Sequence, residues 1–413
     1  MADVRPFMAI RPSEAYKDVI PALPYDVYNR KEAREQVQKE PHSFLAIDRP
    51  ETQFPEDMDM YADAVYEKAS EMLKAWREEG AFLQEDKPCY YIYELTMDGR
   101  TQTGIGAVSS IVDYENQIIK KHENTRADKE EDRVRHVSAC GAQTGPVFLA
   151  YRSHPVIRAI VAQRKTETPI YDFTKEDQIR HRVWIVDKED DITRIRQAFS
   201  EIPAVYIADG HHRCASAVRV GKQYRDLNPR HTGNEEYNYF LSVLFPEEEL
   251  MIMDYNRVVH DLNGMETKDF LHQLETYFTV SDISHAEHPG KKGEVTMYLD
   301  KQWYRLSMKE FLMQSSDPVE QLDVAILQKY VLDNLLAIKN PKTDQRISFV
   351  GGIRGLSELE KLADECHGAA FAMFPTKIQE LFAVADAGKL MPPKSTWFEP
   401  KLRSGILIHA IDE

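Results

Sequence analysis

The chain has 413 residues, with 52 Lys and Arg against 68 Asp and Glu, a formal net charge of −16. That length suits two or three domains and a large core without staples, and the acidic balance argues against nucleic acid held by bulk electrostatics. Its four cysteines, Cys89, Cys140, Cys214 and Cys366, form no CxxC pair, which argues against a zinc knuckle or disulfide framework.

The N-terminus lacks the long apolar stretch of a signal peptide, and no run of about 18 apolar residues occurs. A reducing, cytoplasmic setting without a membrane segment is therefore expected. Residues 1–55 are rich in proline and aromatic side chains and read as extended segments and turns, with a short helix near Arg30–Gln38. Apolar positions at helical spacing predict a helix over Met58–Glu79, ended by Gly80. Tyr90–Met97 and Thr101–Val112 predict a hairpin around Asp98-Gly99. A charged helix is expected at Lys129–His136, a strand at Phe148–Tyr151, a helix at His154–Thr166, a strand at His181–Val186 and a helix at Ile192–Phe199. The apolar run Ala204–Ala208 reads as a strand and Cys214–Val220 as helix.

Further along, Tyr239–Phe245 predicts a buried strand and Met251–Arg257 another. Lys268–Phe278 predicts a helix, Gly293–Leu299 and Gln302–Met308 a hairpin through Asp300-Lys301, Leu322–Leu336 an amphipathic helix and Ile347–Val350 a short strand. The alternation implies an α/β (mixed α+β) body. Three parts are expected: an N-terminal α/β part over 1–115, a core over 116–245 and a C-terminal α/β part over 246–413.

The most informative stretch is Asp209-Gly210-His211-His212-Arg213. A strand, a glycine turn and a helix start present free backbone N–H groups and a positive dipole end to an anion. Asp209 is a candidate proton acceptor or metal ligand, His211 and His212 are candidate phosphate donors or acid–base groups, and Arg213 is a candidate bidentate phosphate contact. The plainer alternative is an Asp N-cap with surface histidines.

His122-Glu123-Asn124-Thr125-Arg126 mixes a carboxylate with hydrogen-bonding groups, as an active-site loop does. The acidic run after it suits a solvated helix start. Gly141–Pro146 is either a ligand-approach loop or a turn, and it is not a Walker loop. Lys394-Ser395-Thr396 offers a cation and two hydroxyls, and Gly351–Gly355 a second glycine turn that is either anion-binding or merely tight. No Gly-x-Ser-x-Gly elbow, HExxH or kinase HRD/DFG set occurs.

Arg5-Pro6-Phe7, Leu23-Pro24-Tyr25-Asp26-Val27, Lys121-His122-Glu123-x-Thr125, Gly145-Pro146-Val147, Ala208–Arg213 and Pro392-Pro393-Lys394-Ser395-Thr396-x-Phe398-x-Pro400-Lys401 stand in one order along the chain. With them the chain resembles domain-of-unknown-function family 1015 nearly end to end. The Asp-Gly-His-His-Arg turn is also similar to the signature of the ParB/sulfiredoxin-like superfamily, which includes free serine kinases. Sulfiredoxin carries a catalytic Cys where His211 stands here, so its repair chemistry is not expected. No basic recognition helix of the ParB type is evident.

The resemblance implies a ParB/sulfiredoxin-like core with elaborated terminal parts. It implies a phosphotransferase acting on the hydroxyl of a free amino acid, L-serine foremost, in serine metabolism. Mg²⁺ with ATP or ADP, or pyrophosphate, is the implied donor. Glu123, Asp209 and His211 are the implied catalytic residues, with Asp209 also the metal contact. Gly210, His212, Arg213, Thr125, Lys394, Ser395 and Thr396 are the implied phosphate contacts. The alternative is a nucleotide-binding regulatory protein without turnover; a ParB-like nuclease stands behind both. The expected partner is a small molecule, with neither nucleic acid nor membrane, and a dimer is one open possibility.

Overall fold

In the computed structural model, which describes residues 1–412, the chain forms a mixed α/β protein. It divides into two compact units, Met1–Leu250 with Pro400–Glu413, and Met251–Glu399. The break expected at 115/116 falls inside the first of these.

The first unit is built on a nine-stranded mixed sheet. Its strands are β1 Val4–Arg5, β2 Tyr90–Met97, β3 Arg100–Ser110, β4 Ile119–Lys120, β5 Val147–Tyr151, β6 Tyr171–Thr174, β7 Arg180–Val186, β8 Val205–Asp209 and β9 Tyr239–Pro246. They lie in the order β4-β8-β5-β9-β3-β2-β7-β6, with β1 on β3. β2 and β3 form the expected hairpin: Asp98 and Gly99 both have positive φ, 51° and 76°, as a two-residue type I′ turn demands. β9 is central and buried along its whole length, which is why, apart from Ser242, it reads as a continuous apolar run rather than an alternating one. Two pairings are parallel, β9 with β5 and β8 with β4.

Helix α1, Ala127–Cys140, packs on helix α2, His211–Leu227. The acidic start of α1 is partly neutralised there, since Arg219 pairs with Glu130 at 3.2 Å and with Glu131 at 2.7 Å. Cys214 and Ala217 of α2 join Ile92, Ile105, Leu149, Ile207, Phe240 and Leu244 in the main core. The C-terminal segment returns to this unit: Ile408 bridges Ile10 and Ser404 bridges Ala22.

The second unit holds a six-stranded antiparallel sheet in the order Phe278–Ile283, Gln302–Met308, Glu294–Leu299, Ala369–Met373, Tyr255–Val259, Ile347–Gly351. The hairpin at Asp300-Lys301 forms, with φ of 51° and 62°. Four expectations need correction. Met251–Arg257 is two strands in two sheets: Ile252–Met253 pairs with Trp397–Phe398, while Tyr255 opens a strand of the large sheet, the break falling at the buried Asp254. The helix expected to reach Phe278 spans Thr267–Leu274, because the aromatic and β-branched run Tyr277–Val280 goes to an edge strand. The Leu322–Leu336 helix is an α segment, Asp323–Leu327, followed by π turns over Gln328–Asp333. Likewise, the helix over Met58–Glu79 starts only at Asp63.

Candidate functional site

Parallel pairing puts two loops at one sheet edge. Val205 sits beside Ile119 and Tyr206 beside Lys120, so β4 and β8 run the same way, and the chain leaving β4 after Lys120 heads toward the end of β8 at Asp209. Crevices outside the carboxyl ends of parallel strands are where α/β proteins bind ligands. The rings of His122 and His211 meet edge-on, with centroids 4.6 Å apart at 87°. The Arg126 backbone N–H donates to His212 Nε2 at 2.9 Å. Glu123 stands between these two contacts along the chain, half-buried.

The turn between β8 and α2 depends on one glycine. Gly210 has φ +89° and ψ 32° at the N-cap position of α2, a left-handed conformation that costs any L side chain. The first backbone bond of the helix runs from Cys214 N to Gly210 O, which leaves the N–H groups of His211, His212 and Arg213 without an intrahelical acceptor. A Cβ on Gly210 would lie 3.3 Å from Arg213 Nε, so the guanidinium folds back over the turn. There Arg213 Nη1 donates to the Pro146 carbonyl at 2.6 Å.

The N-cap alternative does not hold as stated. Gly210 takes the cap position, Asp209 Oδ1 accepts only from Gly210 N at 2.9 Å, and His211 is 8 % exposed rather than on the surface.

Electrostatics sharpen the site. Burial would raise the Asp209 carboxyl, but Lys401 and Arg213 override it and hold it well below the usual carboxylate range. Lys401 Nζ lies 2.9 Å from Asp209 Oδ2, and the Asp209 side chain keeps 32 % of its surface exposed, so an ionised carboxylate stays reachable. Burial, reinforced by the neighbouring His122, pushes His211 well below its ordinary value. Burial likewise takes His122 down to about 4. Both imidazoles are therefore neutral at pH 7. Among the described residues, His211 Nε2 is buried and has no hydrogen-bond partner, an expensive state for a polar atom that a ligand would relieve.

The remaining candidates are placed as follows. Thr125 Oγ1 donates to Glu130 Oε2 at 2.9 Å and so ties its loop to α1. Lys394, Ser395 and Thr396 belong to the second unit. Within it the Lys394 carbonyl accepts from Arg257 at 3.0 Å, and the Ser395 hydroxyl donates to the Pro392 carbonyl at 2.6 Å. At Gly352 a Cβ would overlap Asp254 Oδ1 at 2.0 Å, so the second glycine turn is tight against protein rather than open.

Sequence reasoning missed Lys401 as a site residue. Its signal was its place in the Pro-Lys pair closing the C-terminal motif. It also missed a cavity behind Arg213 whose otherwise largely apolar lining includes Asp48, Arg133, His136 and Thr144.

A Mg²⁺ ion carried by donor phosphates needs as few as one protein carboxylate. Asp209 fits that role through the lone pairs that Lys401 and Gly210 leave free. No cluster of three or more His, Cys, Asp or Glu suited to a metal occurs among the described residues.

Fold and site together define a mixed α/β protein with a strand–glycine–helix turn following β8, beside the loop that leaves its parallel neighbour β4. The chain belongs to the family described as protein of unknown function (DUF1015), whose model matches residues 4–325. No curated protein matches it. Among solved structures it is similar to SbnI with a C-terminal truncation from Staphylococcus aureus, at 11 % identity and TM-score 0.40, covering 74 % of this chain and 87 % of that one. It is also similar to a free serine kinase variant in complex with ADP, at 12 % identity and TM-score 0.36, covering 75 % and 93 %. A conserved hypothetical protein from Pyrococcus furiosus gives 16 % identity and TM-score 0.33, covering 74 % and 95 %. No helix among the described residues is long and apolar enough to cross a membrane.

Proposed function

We propose that this protein is a phosphotransferase that moves a phosphoryl group from a nucleotide, or from pyrophosphate, to the hydroxyl of a free amino acid, L-serine foremost. The observation that carries the reading is the convergence of the 122–126 loop on the 209–213 turn, with the buried His211 Nε2 left unsatisfied between them.

In this reading the donor phosphates lie over the N-terminus of α2, on the N–H groups of His211, His212 and Arg213 and on the Arg213 guanidinium. Mg²⁺, when bound, neutralises phosphate charge. Asp209 faces that charge, and Lys401 sits beside it as a second cation. His211, neutral, offers a hydrogen bond rather than a charge to the transferring group. Glu123 takes the proton of the acceptor hydroxyl, a task worth about 10²–10⁴ in rate. Stabilising the developing charge and holding the two substrates in line supply the rest.

The test is a phosphotransfer assay with Mg²⁺, crossing ATP, ADP and pyrophosphate against free amino acids and small hydroxyl compounds. Wild type is expected to form a phosphorylated amino acid, and Glu123→Gln to bind donor with turnover reduced at least 100-fold. Donor binding without product from any pair, unchanged in Glu123→Gln, would replace this reading with that of a regulatory nucleotide-binding protein.

A further inference from the structure

Behind Arg213 lies a cavity that the turn chemistry does not use. Its polar walls are buried: Asp48 is 3 % exposed, Thr144 5 %, Arg133 6 % and His136 1 %. Asp48 Oδ1 accepts from the Thr144 hydroxyl at 3.0 Å; among the described residues, Oδ2 accepts from nothing. Arg133 places Nε and Nη2 on Asp132 Oδ2, at 2.9 and 2.8 Å, and lies 4.0 Å over the Tyr25 ring; among the described residues, Nη1 has no acceptor. Asp48 and the two arginines line one space, yet no ion pair within 4.0 Å joins Asp48 to either.

Opposite charges buried apart across a gap are costly unless something bridges them. His136 does not, because burial and the nearby Arg133 keep it neutral. The charges around it balance as they stand, with Asp48, Asp132 and Asp209 against Arg133, Arg213 and Lys401. A ligand with both signs and no net charge preserves that balance, whereas a free phosphate would set its charge against Asp48. The cavity is small, about 30 Å³, and partly open, which leaves no space for a long side chain. A close approach shapes the wall: a Cβ on Gly145 would lie 2.9 Å from Ser404 Oγ and 3.5 Å from Arg213 Nη1.

We propose that this cavity is the acceptor pocket, binding a small free amino acid with its α-ammonium on Asp48 and its α-carboxylate on Arg133. Arg213 is the wall shared between the pocket and the turn. The assignment of the pocket to an acceptor rests on the phosphotransferase reading; the recognition of a zwitterion does not.

The experiment is calorimetry on the full-length wild-type protein with L-serine, L-serine methyl ester, N-acetyl-L-serine and, in turn, the other free amino acids. Small zwitterions are expected to bind. Loss of the carboxylate in the ester or of the ammonium in the N-acetyl compound is expected to weaken binding at least 30-fold. Asp48→Asn and Arg133→Met are expected to lose the binding; if either fails to fold, the ligand series on wild type still decides. Equal binding of the blocked analogues, or no binding of any free amino acid to folded wild type, overturns the pocket. Amino-acid binding without phosphotransfer leaves the pocket standing and removes the phosphotransferase. Phosphotransfer to hydroxyl compounds lacking an amino-acid head does the reverse.

Discussion

At the residue scale, Asp209 owes its charge to its neighbours. Its pKa is depressed in the folded protein by Lys401 and Arg213. Whatever stability the pair contributes is therefore complete above the unfolded value of about 3.9 and lost only as pH falls below it. No inflection from Asp209 is expected between pH 5 and 9 in the rate profile, and Asp209→Asn is expected to lower the rate at least 100-fold across that window. An Asp209→Asn enzyme with wild-type turnover would remove the carboxylate from the site. The histidines make the opposite kind of statement. His122, taken down to about 4, and His211, pushed well below its ordinary value, should show no NMR titration between pH 5 and 8. A ring that titrates near 6.5 would mean that the pair is wetter than its burial implies.

At the element scale, the turn depends on a conformation rather than on a contact. Gly210→Ala forces a side chain into φ +89° and toward Arg213, at a cost of about 1–2 kcal/mol. The melting temperature is expected to drop by roughly 3–6 °C. Gly210→Asn is expected to recover part of that, because Asn tolerates the left-handed region. An unchanged melting curve for Gly210→Ala would mean that the turn relaxes freely.

The same scale shows how much was legible in the chain. The Asp98-Gly99 hairpin, the apolar strand β9 and the strand–turn–helix at Asp209–Arg213 are visible because their signals are local. Asp254 hid the break between two short strands, since nothing within four residues tells a buried polar strand end from a continuing one. Lys401 was passed over for the same reason: its partner Asp209 is 192 positions away.

At the scale of the whole first unit, buried histidines set the acid limit. Burial lowers the pKa of His122, His136, His181 and His211. Each takes up a proton on unfolding once pH falls below about 6.5, costing up to about 1.4 kcal/mol per pH unit while its folded form stays neutral. Asp113, pushed up to about 6 by burial, works in the other direction and stabilises on acidification over the same range. Glu249, also raised by burial, acts with Asp113, and four groups against two predict a net loss. The denaturant midpoint is expected to fall steadily from pH 6.5 to pH 4.5, and a midpoint flat over that interval would contradict the burial of these rings.

The chain by itself determined most of its element types, its family and the place of its strand–glycine–helix turn, because turn dipeptides, apolar periodicity and a Gly between a strand and a helix act over a few residues. Only the tertiary structure decided which groups share a site. Parallel pairing of β4 with β8 set His122 against His211, the returning C-terminal segment brought Lys401 to Asp209, and Arg133, Asp48 and Arg213 came from three distant stretches to surround one cavity. Such encounters depend on strand order and register, which are set by the burial of the whole sheet and leave no trace in the spacing of the residues they join.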